Sequence, residues 1–197
     1  AVNDALRSEF ARAHGVLPTA AVTRALGEPD LRPHRAAGAL VRIRRGWYRH
    51  RDVEPLAVVL RAVAAGGVLT GASALAVHGA WDLGGDLDVR AARLGLIAER
   101  AGVRRVVLPG PDARRCTAAV DALKLAFRVA LRTLPERELV MVGDSLVQRG
   151  LASRATLVGL ADGLGPGAPT AVSRIDGRCE SGTETIARLW LESHGIP

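Results

Sequence analysis

The sequence predicts an α+β chain built in segments, and three observations carry that prediction. Helix-spaced apolar runs alternate with a few short strand-like ones. Positive charge is gathered in the first 51 residues, and a Gly- and Pro-rich run, GLGPGAP, interrupts the chain at 163–169. The segments expected are a small basic domain at 1–51, a mostly helical mixed α/β domain at 52–162, a linker at 163–169, and the start of a further domain at 170–197. The chain has 197 residues, of which 48% are hydrophobic and 24% charged, enough for one sizeable core or two small ones and not a disordered composition.

Each element has its own signals. Residues 1–13 place Val2, Ala5, Leu6 and Phe10 at helical spacing, with Gly15 as a stop. Leu17, Pro18 and Thr19 open a second short helix that carries Val22 and Leu26 and ends at Gly27; residues 27–30 form a turn. Asp30 caps a third helix over 30–39, with Pro33 in its first turn, where a missing N–H costs nothing. Val41, Arg42, Ile43 and Arg44 alternate apolar with basic, Arg45 and Gly46 turn, and Trp47 to Arg49 return, which is a hairpin.

Further along, a helix is expected at 53–65 and another at 71–78, with Leu75 and Val77 buried. Short strands are expected at 86–90 and at 104–108, the latter stopped by Pro109, Gly110 and Pro111. Helices follow at 123–134, 136–149 and 153–160, and after the linker at 181–194, with Ile186, Leu189, Trp190 and His194 on one side.

Three helices followed by a hairpin make a winged helix-turn-helix, and the charge fits a polyanionic partner. Residues 1–51 hold ten arginines against Asp4, Glu9, Glu28 and Asp30, whereas the remainder is nearly balanced, with seventeen basic and sixteen acidic groups. Within 31–51 there are seven arginines and no acid. A field concentrated in one segment points to nucleic acid, and only Lys124 among the 27 basic residues is a lysine, so the charges are planar forks suited to phosphates and guanine edges. The expected contacts to double-stranded DNA are Arg32, His34 and Arg35 on the third helix, and Arg42, Arg44, Arg45, Tyr48 and Arg49 on the wing. The alternative for the whole segment is a three-helix scaffold with a solvated basic face. Trp47 and Tyr48 read as wing-packing core or as stacking platforms. Homodimerisation to read paired half-sites is also expected of such a regulator.

Other classes are disfavoured. Cys116 and Cys179 lie 63 residues apart with no metal-ligand or disulfide spacing, and both are expected as reduced thiols in a cytoplasmic protein. No run suits a membrane span and no signal pattern opens the chain. The five histidines lack metal spacing, and His78 reads as a helix-end or core residue. Ser73 reads as helical packing, Asp144 and Ser145 as a helix surface, and the glycines at 163, 165 and 167 as unsuited to a phosphate loop.

With these residues in place, GVL at 15–17, LVRIRRGWYR at 40–49 and LTGASALAVHG at 69–79 resemble the AbiEi-type antitoxin regulators of bacterial abortive-infection systems. The likeness spans roughly residues 1–160, and past Gly84 it holds only in general pattern. It implies a winged helix on operator DNA, an α/β domain engaged in repression, and a cognate toxin as partner. A second likeness begins after the linker, where ESGTETIARLWLE at 180–192 and GIP at 195–197 resemble the opening helix of a Vsr-like PD-(D/E)XK endonuclease domain. It implies a truncated α/β nuclease-like start, with Glu184 as the catalytic first-helix carboxylate that assists magnesium binding. The strand aspartate and acidic-x-basic element that would hold Mg and activate water are missing from these residues, so no cofactor is expected here. Together with the missing initial Met, this leads to the expectation of a fragment of a longer protein. If catalytic strands follow, the alternative function is a DNA endonuclease targeted by the winged helix.

Overall fold

The structure is a computed structural model, which describes residues 2–27, 30–108, 116–165 and 167–196. It is a mixed α+β protein with the element order α1 (Val2–Arg12), β1 (Val16–Pro18), α2 (Thr19–Leu26), α3 (Arg32–Ala36), β2 (Leu40–Arg44), β3 (Trp47–His50), α4 (Ala57–Ala64), β4 (Val68–Leu69), α5 (Gly71–Val77), β5 (Leu87–Arg90), β6 (Val103–Val106), α6 (Leu123–Thr133), α7 (Glu136–Gln148), α8 (Arg154–Ala161), α9 (Gly167–Ser173) and α10 (Gly182–Ser193). No helix among the described residues is long and apolar enough to cross a membrane.

Two compact units account for the packing: Ala1–Leu69 with Asp86–Asp121, and Thr70–Gly85 with Ala122–Pro197. These do not coincide with boundaries at 51/52 and 163–169. In the first unit, backbone pairing draws residues 86–106 back to β4, and in the second α10 packs on α7. The Gly- and Pro-rich run contains the start of α9, at Gly167.

In the first unit, β1 pairs antiparallel with β3 and β3 antiparallel with β2, giving the order β1-β3-β2. Strand β1 was not expected: Val16 and Leu17 pair with Arg49 and Tyr48 before Thr19 starts α2. One sheet face carries Leu17, Leu40 and Tyr48, which pack with Leu6, Phe10, Val22 and Leu31 from the helices. Because strand side chains alternate, Val16 and Trp47 point to the other face, where they are also buried. Gly15 closes α1 with φ +83°, and a Cβ there would stand 2.3 Å from the Pro55 Cα, so both its backbone angle and its bareness are required.

The second sheet of this unit runs β4-β5-β6, antiparallel between β4 and β5 and parallel between β5 and β6. Leu69 forms a further parallel bridge to Val120. Next to it Arg90 and Asp121, both buried, meet through two guanidinium nitrogens and two carboxylate oxygens. Arg104 closes on the buried Asp88 at 2.6 Å. Pro109, Gly110 and Pro111, expected to stop β6, lie outside the described residues, as do Glu28 and Pro29 of the expected turn.

In the second unit α5 packs on α6, and α7 packs against α9 and α10. Val77 on α5 is only half-buried, whereas Leu75 is fully buried as expected. Asp144 and Ser145 overturn the helix-surface reading, since both are completely buried on α7. Ser145 Oγ accepts the Trp81 N–H at 2.8 Å. Asp144 Oδ1 accepts the N–H groups of Asp176 and Gly177, while Oδ2 accepts from the Thr185 hydroxyl and from Arg188 Nη2, at 2.9 and 2.8 Å. On α10 the buried side chains are therefore Thr185 and Leu189, and Trp190 is 57% exposed instead of facing inward.

Two stability outcomes follow from the first unit. Asp121→Ala leaves Arg90 buried without its main counter-charge and is expected to cost about 3–5 kcal/mol in urea denaturation. His50, fully buried against Phe10, accepts the Asp52 N–H at Nδ1, and burial pushes its pKa below the ordinary value despite the opposing charge of Asp52. The folded state thus takes up this proton less readily than the unfolded chain, whose histidine binds one below about pH 6.5. Stability from this group is present above that value and falls as the pH drops through it. Thermal melts between about pH 7.5 and 5 should show that fall, and His50→Asn should flatten it.

Candidate nucleic-acid interface

Helix α3 is shorter than the expected 30–39, spanning only Arg32–Ala36. By backbone the residue that precedes the helix is Leu31, but Asp30 supplies the capping bond: its Oδ1 accepts the N–H of Arg32, the first residue of α3, at 2.9 Å, and its carboxylate also binds the Arg32 guanidinium through Nε and Nη2. That hydrogen bonding holds the Asp30 pKa below the carboxylate range and the Arg32 pKa up. Gly38, with φ +70°, then turns the chain into β2. A helix of about one and a half turns has room for few side chains on any one face.

The hairpin is equally compact. Arg44 pairs with Trp47 across a two-residue turn, Arg45 and Gly46, after an irregularity in register between Arg42 and Arg44. Arg42 stands opposite Tyr48, on the core face but past its edge, and is exposed, as is Arg45 in the turn. Arg35 is exposed on α3. Among the described residues none of Arg35, Arg42 and Arg45 makes an ion pair or side-chain hydrogen bond. Between α3 and β2 lies an open groove of about 560 Å³, lined by Arg32, Arg35 and Arg42 together with Gly38, Leu40 and Val41.

Of the eight expected contacts, then, Arg35, Arg42 and Arg45 are exposed cations, Arg32 is exposed but paired, and His34 and Arg49 are half-buried. Two are placed differently from expectation. Tyr48 is 8% exposed within the core cluster, because its position opposite Arg42 and Leu17 turns the ring into the helices. It is the wing-packing alternative that the structure places here. Arg44 folds inward: Nη2 donates to the Gly67 carbonyl at 3.3 Å and the guanidinium lies 5.3 Å over the Trp47 ring. Burial pushes its pKa down, and its Nε is buried with no hydrogen-bond partner among the described residues. Arg44 thereby joins the two sheets of its unit.

Glu184 is also differently employed. Ser181 is the N-cap of α10 and its Oγ accepts the Glu184 N–H, while Glu184 Oε2 accepts the Glu180 N–H and Oε1 the Ser181 hydroxyl. This is a capping box, legible as S-x-x-E at 181–184, and those bonds lower the Glu184 pKa. The residues that do bring potential ligand atoms together are Asp144, Asp176 and Cys179, within 4.8 Å of one another. Arg188 is already among them, at 2.8 Å from Asp144 and 3.7 Å from Asp176. Two carboxylates and a thiol around a guanidinium do not suit magnesium, which prefers oxygen ligands and its own waters. Neither Glu184 nor this cluster fits the metal centre that the second likeness implied.

Compared with known proteins, the chain matches no family model and no curated protein.

Arg44→Ala is expected to cost about 1–2 kcal/mol of stability through loss of its hydrogen bond and ring contact, read by urea denaturation. If the basic segment binds a duplex, the effect of Arg44→Ala on affinity should be smaller than that of Arg42→Ala at equal salt, because Arg44 is folded inward and Arg42 is exposed.

Proposed function

We propose that residues 1–51 are a winged helix-turn-helix that binds double-stranded DNA, and that the protein serves as an antitoxin-like transcriptional regulator in the cytoplasm. The observation that carries this reading is the set of exposed arginines, Arg35, Arg42 and Arg45, presented by one short helix and one hairpin in a stretch with seven arginines and no acid. The order helix, strand, helix, helix, hairpin, with strands paired β1-β3-β2, supports the winged-helix part. Cations without local counter-charges release condensed counterions from a phosphate backbone, which is the main source of affinity in such contacts. The regulatory role, a toxin as partner and a homodimer on paired half-sites rest on the resemblance and on the geometry of such readers.

A band-shift titration of the full chain against a duplex tests the proposal. The expected result is binding at about 50 mM salt that weakens with added salt, with a logarithmic slope of about −3 if three phosphates are contacted by one copy. A chain that retains no duplex at low salt does not have this function.

A further inference from the structure

Resting on the reading just given, the geometry points to a particular seat and mode for the nucleic acid: one phosphate strand of the duplex lies in the groove between α3 and β2, held by Arg35 and Arg42, while Asp30 keeps Arg32 out of the contact. The alternative within the same reading is α3 as a reader of base edges. That needs several side chains projecting from one helix into a major groove, and α3 has five residues. Of its two arginines, Arg32 already has both its backbone N–H and its guanidinium engaged by the Asp30 carboxylate.

What remains is a groove flanked by a cation from each wall. Arg35 comes from the helix side and Arg42 from the strand side, and neither has a charged partner among the described residues. Its other lining residues, Ala36, Gly38, Leu40 and Val41, have no polar side chain to hydrogen-bond a base edge. An open channel with cations on both sides suits a continuous polyanion better than an enclosed small ligand. Backbone contacts of this kind position the protein and carry no sequence information, so binding at this seat is largely independent of sequence.

Asp30 has a definite part in this arrangement. A carboxylate beside the groove repels phosphate and neutralises the arginine next to it. Replacing it by an amide leaves an acceptor for the Arg32 N–H while releasing the guanidinium, and so should strengthen binding. Asp30 is then a limiter of affinity within the basic stretch.

The experiment is a fluorescence-anisotropy titration of the full chain with two unrelated 20-base-pair DNA duplexes over a salt series, for the parent and for Arg35→Ala, Arg42→Ala, Arg32→Ala and Asp30→Asn. Arg35→Ala and Arg42→Ala should each weaken both duplexes about 3–10-fold and flatten the salt slope by roughly one. Arg35→Lys and Arg42→Lys, which keep the charge without the planar fork, should stay within about 2-fold of the parent. Arg32→Ala should change affinity by less than about 2-fold, and Asp30→Asn should tighten binding about 2–5-fold with a steeper slope.

The assignment is overturned if Arg32→Ala weakens binding as much as Arg35→Ala, if Asp30→Asn weakens it, or if Arg35→Ala acts on only one duplex. Tighter retention of an RNA duplex of the same sequence overturns it too. Thermal melts keep the comparison to folded variants, and the lysine variants serve should an alanine variant fail to fold. A parent chain that binds no duplex refutes the proposed function itself, whereas parental binding unmoved by Arg35→Ala and Arg42→Ala refutes only the groove.

Discussion

Burial of both faces of the β1-β3-β2 sheet governs what the basic segment can offer to a partner. Leu17, Leu40 and Tyr48 are taken up by the helices on one side, and Val16 and Trp47 are buried on the other. A hairpin that is covered on both sides presents its surroundings only with its turn and with residues past the core edge. Those positions are Arg45 and Arg42. The rest of the hairpin's polar chemistry is drawn into the fold, with Arg44 bound to the Gly67 carbonyl and Arg49 half-buried opposite Val16 and Val41.

The same constraint shapes the electrostatics. Seven arginines between residues 31 and 51 look equivalent as charges, but they divide by partner. Arg32 is matched by Asp30 and Arg51 by Asp52, and Arg44 is half-buried over an indole. The positive field that reaches outward is therefore carried by fewer side chains than the composition implies, and two of these, Arg35 and Arg42, line the groove beside α3. Exposed ion pairs such as Asp30–Arg32 contribute little to stability. The significance of that pair lies in where it places charge.

In the second unit a buried carboxylate plays the organising part. Asp144 receives two backbone N–H groups from the 176–177 turn, the Thr185 hydroxyl and the Arg188 guanidinium, so a single side chain of α7 ties down both the turn and α10. Burying a carboxylate is tolerable only when its oxygens are satisfied in this way, and removing Arg188, the cation among these donors, would leave its charge uncompensated. The Asp144, Asp176 and Cys179 cluster thus has a structural explanation with Arg188 at its heart. Glu184, a few residues away in sequence, has its own in the capping box.

Local signals determined a good deal by themselves: most of the helices, the hairpin with its Arg45–Gly46 turn, the stops at Gly15 and Gly27, and the concentration of arginine near the N-terminus. Periodicity, caps and turn residues act within a few positions, so they can be read without knowing the fold. Tertiary structure alone decided the rest. Strands β1 and β4, of three and two residues, exist because partners distant in sequence complete their hydrogen bonds. The same long-range pairing assigns residues 86–121 to the unit of β4, across a stretch that packs elsewhere. The Asp30–Arg32 and Arg51–Asp52 pairs are local, but that Arg44 turns inward and that Asp144 lies inside depend on neighbours brought together by folding, because the free energy of a charged side chain is set by everything that surrounds it.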